Sequence, residues 1–183
     1  MHEFNLANVK TFLGRQGHGL NAVIVMDGKP VADVLDEANG GAMRVTWFAG
    51  KGPERGQGNE AARSALLQHV RDEHERQSGD AAHEARCKER GIWFEGCGLS
   101  GRGDQDVIEH WINEEFARME TLRNLKRWSK TKTVFRLRSD KDGEYRTLTK
   151  PYTPEVVAFL REKFGDQLAF VFNPASPSLE GIG

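Results

Sequence analysis

One stretch of the chain, from position 104 to 122, has the spacing of an amphipathic helix and constrains the fold more than any other feature. Asp104 or Asp106 is suited to cap its N-terminus, where carboxylates also interact favourably with the helix dipole. Burying each large apolar side chain contributes roughly 1.5–3 kcal/mol, so we expect this helix to form the spine of a core. Its apolar residues recur at steps of three or four, which places them on one helix face: Ile108, Trp111, Ile112, Phe116, Met119 and Leu122.

A dense basic cluster follows this helix. Positions 118 to 138 hold eight lysines and arginines and one acid, Glu120, a balance of +7 in a chain whose net charge is −1. Such cations can belong to a solvated helix end, where they suit the dipole. They can also form a contact surface for phosphates or for an acidic protein.

A tryptophan inside the cluster favours the second interpretation, because Trp and Arg are typical interface anchors. The same tryptophan can equally belong to the core. We predict a partner-binding surface, and its members are Arg118, Arg123, Lys126, Arg127, Trp128, Lys130 and Lys132.

Length and composition predict one globular domain spanning residues 1–183. The chain is 38% hydrophobic and 29% charged, which is enough apolar content for a core at this length. No apolar run approaches the roughly 18 residues of a membrane span, and the N-terminus has no signal-peptide core. Cys87 and Cys97 are too few for a disulfide scaffold and fit a reducing cytoplasm, although they could pair.

The order of local patterns predicts an α+β fold that begins with an antiparallel β-meander at residues 9–49. Asp27-Gly28 is a strong hairpin signal within it. Residues 59–128 form a helical middle in which Asn59 caps the first helix. We expect residues 75–103 to be irregular, apart from a short helix near 81–90.

The C-terminal part is predicted to be a β-hairpin followed by a helix and a strand, over residues 131–173. Thr153 is an N-cap residue, and Pro154 suits the first helical position. Gly165 fits the end of this helix, where a left-handed backbone is common. We expect residues 174–183 to form a tail without regular structure.

A glycine-rich loop over residues 50–58 resembles the pyrophosphate-binding loop of the acetyl-CoA-dependent N-acetyltransferases. The resemblance rests on a strand at Arg44–Phe48, then Arg55-Gly56-Gln57-Gly58, then a helix whose N-terminal N–H groups would hold phosphates. The family pattern has glycine or alanine where Glu60 stands, and a carboxylate there would repel a pyrophosphate. A plain loop before a capped helix is the favoured interpretation, and acetyltransferase activity is our third hypothesis.

Other catalytic or metal-binding patterns are weaker. His83 and Cys87 can share one side of a helix, and His69, His74 and Cys97 are near them in sequence. Zinc sites usually contain four ligands in tighter pairs, and the chain has no CxxC or HxH. It also has no GxSxG, P-loop or HExxH. We therefore predict no metal ligand, no cofactor and no catalytic residue.

Two blocks, Lys10–Gly41 and Leu125–Asp166, resemble a group of small, largely uncharacterised proteins of bacteriophages and prophages. They cover nearly half of the chain and include no catalytic motif. The resemblance implies a phage or mobile-element protein in the bacterial cytoplasm, and such accessory proteins often block host machinery, including anti-phage defence systems such as CRISPR–Cas. Our leading hypothesis is a binding protein whose partner is a host protein or ribonucleoprotein complex. The second hypothesis is a nucleic-acid-binding protein that uses the basic cluster.

Overall fold

The structure is a computed structural model that describes residues 2–49, 59–76, 85, 88, 102–141 and 143–175. It has the predicted α+β architecture, with an antiparallel sheet at the N-terminal end and strands with a helix at the C-terminal end. The chain divides into two compact units, Met1–Glu115 and Phe116–Gly183. Among the described helices, none combines the length and the apolar character that crossing a bilayer requires.

The first unit contains a four-stranded antiparallel sheet whose strands lie side by side in sequence order. This confirms the predicted β-meander. Asp27 and Gly28 have φ angles of 51° and 76°, which is the left-handed pair that a tight hairpin turn requires. The strands are β1 (Phe4–Gly14), β2 (Gly17–Met26), β3 (Lys29–Asp36) and β4 (Arg44–Trp47).

The first strand begins at Phe4, earlier than the predicted start at Val9. A bulge between Ala7 and Lys10 shifts its pairing with β2, and Asn8 lies there with a φ of 53°. A bulge adds one residue to a strand and breaks the two-residue alternation of side chains. Residues on the two sides of the bulge therefore do not share one alternating pattern. For this reason the sequence did not predict the first part of the strand.

Two helical segments pack in the first unit. Helix α1 (Glu60–Arg76) buries Ala62, Leu66, Leu67 and Val70. Helix α2 (Asp104–Trp128) begins in this unit and buries Val107, Ile108 and Ile112. The ring of Phe4 joins them to the sheet, because its centroid lies 5.3 Å from that of His69 on α1 and 6.4 Å from that of Trp111 on α2.

The residues predicted to cap α1 and α2 differ in what they bind. Asn59 caps α1 as expected, since its side-chain oxygen accepts the N–H of Ala62 at 3.1 Å. Asp104 is the first residue of α2, and its carboxylate accepts hydrogen bonds from Arg63 and Arg71 at 3.1 Å and 3.0 Å. It therefore ties the start of α2 to α1, a role that a capping pattern does not reveal.

The second unit contains the rest of α2 and a three-stranded antiparallel sheet in the order β6-β5-β7. This arrangement agrees with the predicted hairpin, helix and strand. A short 3₁₀ turn, Gly165–Gln167, joins α3 to the last strand. The elements are β5 (Thr133–Leu137), β6 (Arg146–Leu148), α3 (Pro154–Phe164) and β7 (Leu168–Val171).

Strand β5 is the centre of the second unit because side chains on both of its faces are buried. Val134 packs with Leu125 of α2 and Phe172 in one cluster. Phe135 and Leu137 pack with Leu160 of α3 in another cluster. Successive side chains of a strand point to opposite faces, so β5 lies between the end of α2 and α3.

Helix α3 has the predicted ends. The hydroxyl of Thr153 accepts the N–H of Val156 at 3.3 Å, and Pro154 occupies the first turn. Gly165 follows with a φ of 50°, and its N–H binds the carbonyl of Arg161. The predicted loop at 50–58 lies outside the described residues, as do the short helix near 81–90, except helical Ala85 and Lys88, and the tail beyond 175.

Two adjacent residues of α3 test this packing. Leu160 is 1% exposed and Phe159 is 48% exposed. We expect Leu160→Ala to lower the free energy of unfolding by about 2–5 kcal/mol, because the cavity adds to the lost burial. Phe159→Ala removes more atoms but should cost less than about 1 kcal/mol, because its ring is largely solvated. Urea denaturation followed by circular dichroism measures both, and equal losses would contradict the described orientation of α3.

Candidate binding surface

The predicted surface lies within the second unit, where α2 ends. Five of its residues, from Arg118 to Trp128, are on the helix, and Lys130 and Lys132 follow before β5 begins at Thr133. All seven are exposed except Lys132, which is half-buried. The burial of Leu125 between α2 and the sheet determines which sides of this helix end face solvent.

Helical spacing groups some of these residues and separates one. Arg123 is three residues from Lys126 and four from Arg127, so the three are neighbours on the helix surface. Arg118 is five residues before Arg123, so helical spacing does not make these two neighbours. The spacing therefore groups Arg123, Lys126 and Arg127 and leaves Arg118 apart.

The cations of this group differ in how they are neutralised. Arg123 forms an ion pair with Glu120, one turn earlier on the helix. Across the described parts of the chain, four other cations of the group form no ion pair. We call these four, together with Trp128, the α2-end surface: Lys126, Arg127, Trp128, Lys130 and Lys132.

The end of α2 does not depend on these cations for its own stability. The N–H of Ser129 binds the carbonyl of Leu125 at 2.8 Å, and its hydroxyl donates to the carbonyl of Lys126 at 3.1 Å. The carbonyl of Trp128 accepts the N–H groups of Thr131 and Lys132 at 3.4 Å and 3.2 Å. Because these donors satisfy the terminal carbonyl groups, the charged heads are available for other contacts.

Two other cations of the second unit bind within it. Arg146 donates to both carboxylate oxygens of Asp140, at 2.6–3.0 Å. Arg138 donates to the main-chain carbonyl of Asp166 at 2.8 Å. The predicted basic cluster thus contains Arg138, which binds within the unit, and cations at the end of α2 that form no ion pair with any described residue.

The hydrogen-bond partners of Asp140 change its pKa. The hydrogen bonds from Arg146, followed by the one from the N–H of Leu137, hold the pKa of Asp140 below its ordinary value. The same contact raises the pKa of Arg146. Both shifts favour the charged forms, so this pair supports the turn between β5 and β6 at neutral pH.

A groove in the first unit is a second candidate, formed by one side of α1 and His2. It has a volume of about 160 Å³. Gln68 donates to Asp72 at 2.6 Å, and Arg76 pairs with Glu73 at 2.9 Å, so these polar groups already bind one another. Nδ1 of His69 is buried and has no hydrogen-bond partner among the described residues. The lining residues are His2, Ala65, Gln68, His69, Asp72 and Arg76.

The metal-site and acetyltransferase interpretations of the sequence gain no site in the described residues. His83, Cys87 and Cys97 lie outside them, and within them no three His, Cys, Asp or Glu side chains are grouped to bind a metal. At the start of α1, Asn59 already occupies one N–H group, and the carboxylate of Glu60 lies 3.4 Å from Arg63. This helix start offers a negative charge where the resemblance would require phosphate binding.

Comparison of the chain with protein-family models, with curated proteins and with solved structures gives no match.

The pair of Asp140 and Arg146 leads to a pH prediction. Its lowered pKa means that Asp140 stabilises the fold above the ordinary aspartate pKa of about 3.9, and that this stabilisation is lost as pH falls through the folded-state pKa. We expect Asp140→Asn to lower the Tm at neutral pH, and the difference from wild type to shrink between about pH 5 and about pH 3. Thermal unfolding across this range measures the difference, with Glu162→Gln on α3 as a control for removing one exposed carboxylate. A constant difference would contradict the ion pair.

Proposed function

We propose that this protein acts by binding, and that its contact surface is the α2-end surface. The partner is a host protein or ribonucleoprotein complex with an acidic face. The resemblance of the two terminal blocks to phage proteins supports an accessory protein of a phage or mobile element, one that inhibits a host defence system such as CRISPR–Cas in the bacterial cytoplasm. The observation that carries the proposal is a set of four cations, close in sequence to an exposed tryptophan, that form no ion pair within the described part of the chain.

Hydrogen bonding at the end of the helix does not account for this set. The carbonyl groups at the end of α2 are satisfied by Ser129, Thr131 and Lys132 through hydroxyl and main-chain donors. Exposed charges contribute little to stability even when paired, typically about 0–1 kcal/mol. A concentration of unpaired cations at one place instead creates a local positive potential, which attracts and orients an acidic partner.

The charge of the chain is divided between its two units. By sequence, Met1–Glu115 has 13 basic and 19 acidic residues, a balance of −6, and Phe116–Gly183 has 13 basic and 8 acidic residues, a balance of +5. The net charge of −1 therefore conceals a basic unit. A positive unit that presents unpaired cations favours a negatively charged partner and accelerates association with it.

Charge reversal tests the surface. The triple variant Lys126→Glu, Arg127→Glu and Lys130→Glu should reduce capture of the specific partner by about tenfold or more, because attraction becomes repulsion. The matched control reverses three exposed cations of the same unit that lie outside the surface: Lys141→Glu, Lys150→Glu and Arg161→Glu. Both variants have the same net charge, so only position differs between them.

The measurement is affinity capture from a bacterial lysate with intact defence systems, followed by quantitative mass spectrometry. Circular dichroism and Tm establish that both variants are folded. If the wild type and the two variants capture the same proteins in the same amounts, the α2-end surface is not the contact. If the control variant alone loses its partner, the contact lies elsewhere in the second unit.

The acetyltransferase hypothesis is the less favoured function, since Asn59 caps α1 and Glu60 adds a carboxylate at its start. Calorimetric titration of the protein with acetyl-CoA tests it directly. We expect no heat of binding and no thermal shift. Saturable binding of acetyl-CoA would reverse the order of the two hypotheses.

A further inference from the structure

We infer that the α2-end surface binds single-stranded nucleic acid, with Trp128 as a stacking platform for a base and the surrounding cations as phosphate ligands. The assignment rests on the proposed function, because it names the chemistry of the partner at that same site. A ribonucleoprotein with an accessible strand would present this ligand.

The position of Trp128 is suited to stacking. It is the last residue of α2, and 37% of it is exposed. The buried remainder holds the indole in place while part of the ring system faces solvent. Aromatic side chains in this situation bind bases of a single strand with little sequence preference, and each stacked base contributes about 1–3 kcal/mol.

The turn after the helix keeps the cations that follow Trp128 close to the helix end. The carbonyl of Trp128 binds the N–H groups of Thr131 and Lys132, so the chain closes around the helix end instead of extending away from it. Lys130 lies within this closed turn, and Lys126 and Arg127 immediately precede Trp128 on the helix. The indole is therefore flanked on both sides in sequence by charges that form no ion pair with any residue that the structure describes.

A single strand satisfies both features at once. Its backbone supplies regularly spaced negative charges, and its unpaired bases supply planar faces for the ring. In a duplex the base faces are stacked on each other, so a duplex would contact only the cations. An acidic protein would also use the cations, and this alternative is an outcome of the experiment below.

Fluorescence anisotropy with labelled oligo(dT) and oligo(U) of about 12 nucleotides, which is within the usual site size, tests the inference. We expect Trp128→Leu to weaken binding by roughly 5- to 150-fold, which corresponds to one lost stack, and Trp128→Phe to retain most of the affinity. The matched control is Phe159→Leu. Phe159 is the other exposed aromatic residue of this unit, with Lys163 Nζ 5.7 Å from its ring centroid, and its substitution should leave binding unchanged.

Salt dependence tests the cations separately. Four phosphate contacts predict a slope of log K against log salt concentration of about −3 for a single strand. The double variant Lys126→Gln and Lys130→Gln should reduce the size of this slope by about 1.4, because two counter-ions fewer are released. In the wild-type protein, inorganic polyphosphate or a duplex of equal length should compete less well than an unlabelled single strand. This competition tests recognition of the bases without any substitution.

The outcomes separate this inference from the proposed function. Absence of oligonucleotide binding at low salt overturns the inference, and so does equal competition by polyphosphate with no effect of Trp128→Leu. If charge reversal still abolishes capture of a host protein, the surface binds an acidic protein and the proposed function stands. If oligonucleotide binding is absent and charge reversal does not affect capture, the inference and the proposed function are both overturned.

Discussion

The burial of one apolar stripe along α2 is the interaction on which the rest of the structure depends. The first part of this helix contributes Val107, Ile108 and Ile112 to buried positions, and the last part contributes Leu125. A single helix thus supplies the core of the first unit and then the core of the second. Because its hydrophobic side is determined along its whole length, the solvent-facing sides of its last turns are determined as well.

The two ends of α2 show why charge placement, and not charge count, indicates the binding surface. At the start, the carboxylate of Asp104 is held by Arg63 and Arg71. At the other end, main-chain N–H groups and the hydroxyl of Ser129 satisfy the carbonyls. The nearby lysines and arginine are left without a partner among the described residues. The charges at the start are structural, and those at the end are the candidates for binding another molecule.

Much of the local structure could be predicted from the sequence because its causes lie within a few residues. Asp27-Gly28 adopts the left-handed angles of a tight turn, and Thr153-Pro154 begins a helix, since each signal acts on its own backbone. The bulge at Asn8 and the use of Asp104 by two distant arginines depend on partners far along the chain. No break in the helical pattern marks the boundary after Glu115, because it falls inside a continuous helix.

For the candidate surface too, some features follow from the sequence and others only from the tertiary structure. Sequence alone determined that basic residues concentrate at the end of the amphipathic helix, with Trp128 among them, because spacing and charge can be read directly from residue order. Only the tertiary structure decided which of them interact with other side chains. Glu120 neutralises Arg123 and Arg118 has an interaction of its own, whereas the cations of the α2-end surface form no ion pair with the described residues. Side-chain orientation and ion pairing depend on how the helix packs, and packing arises only when segments distant in sequence come together.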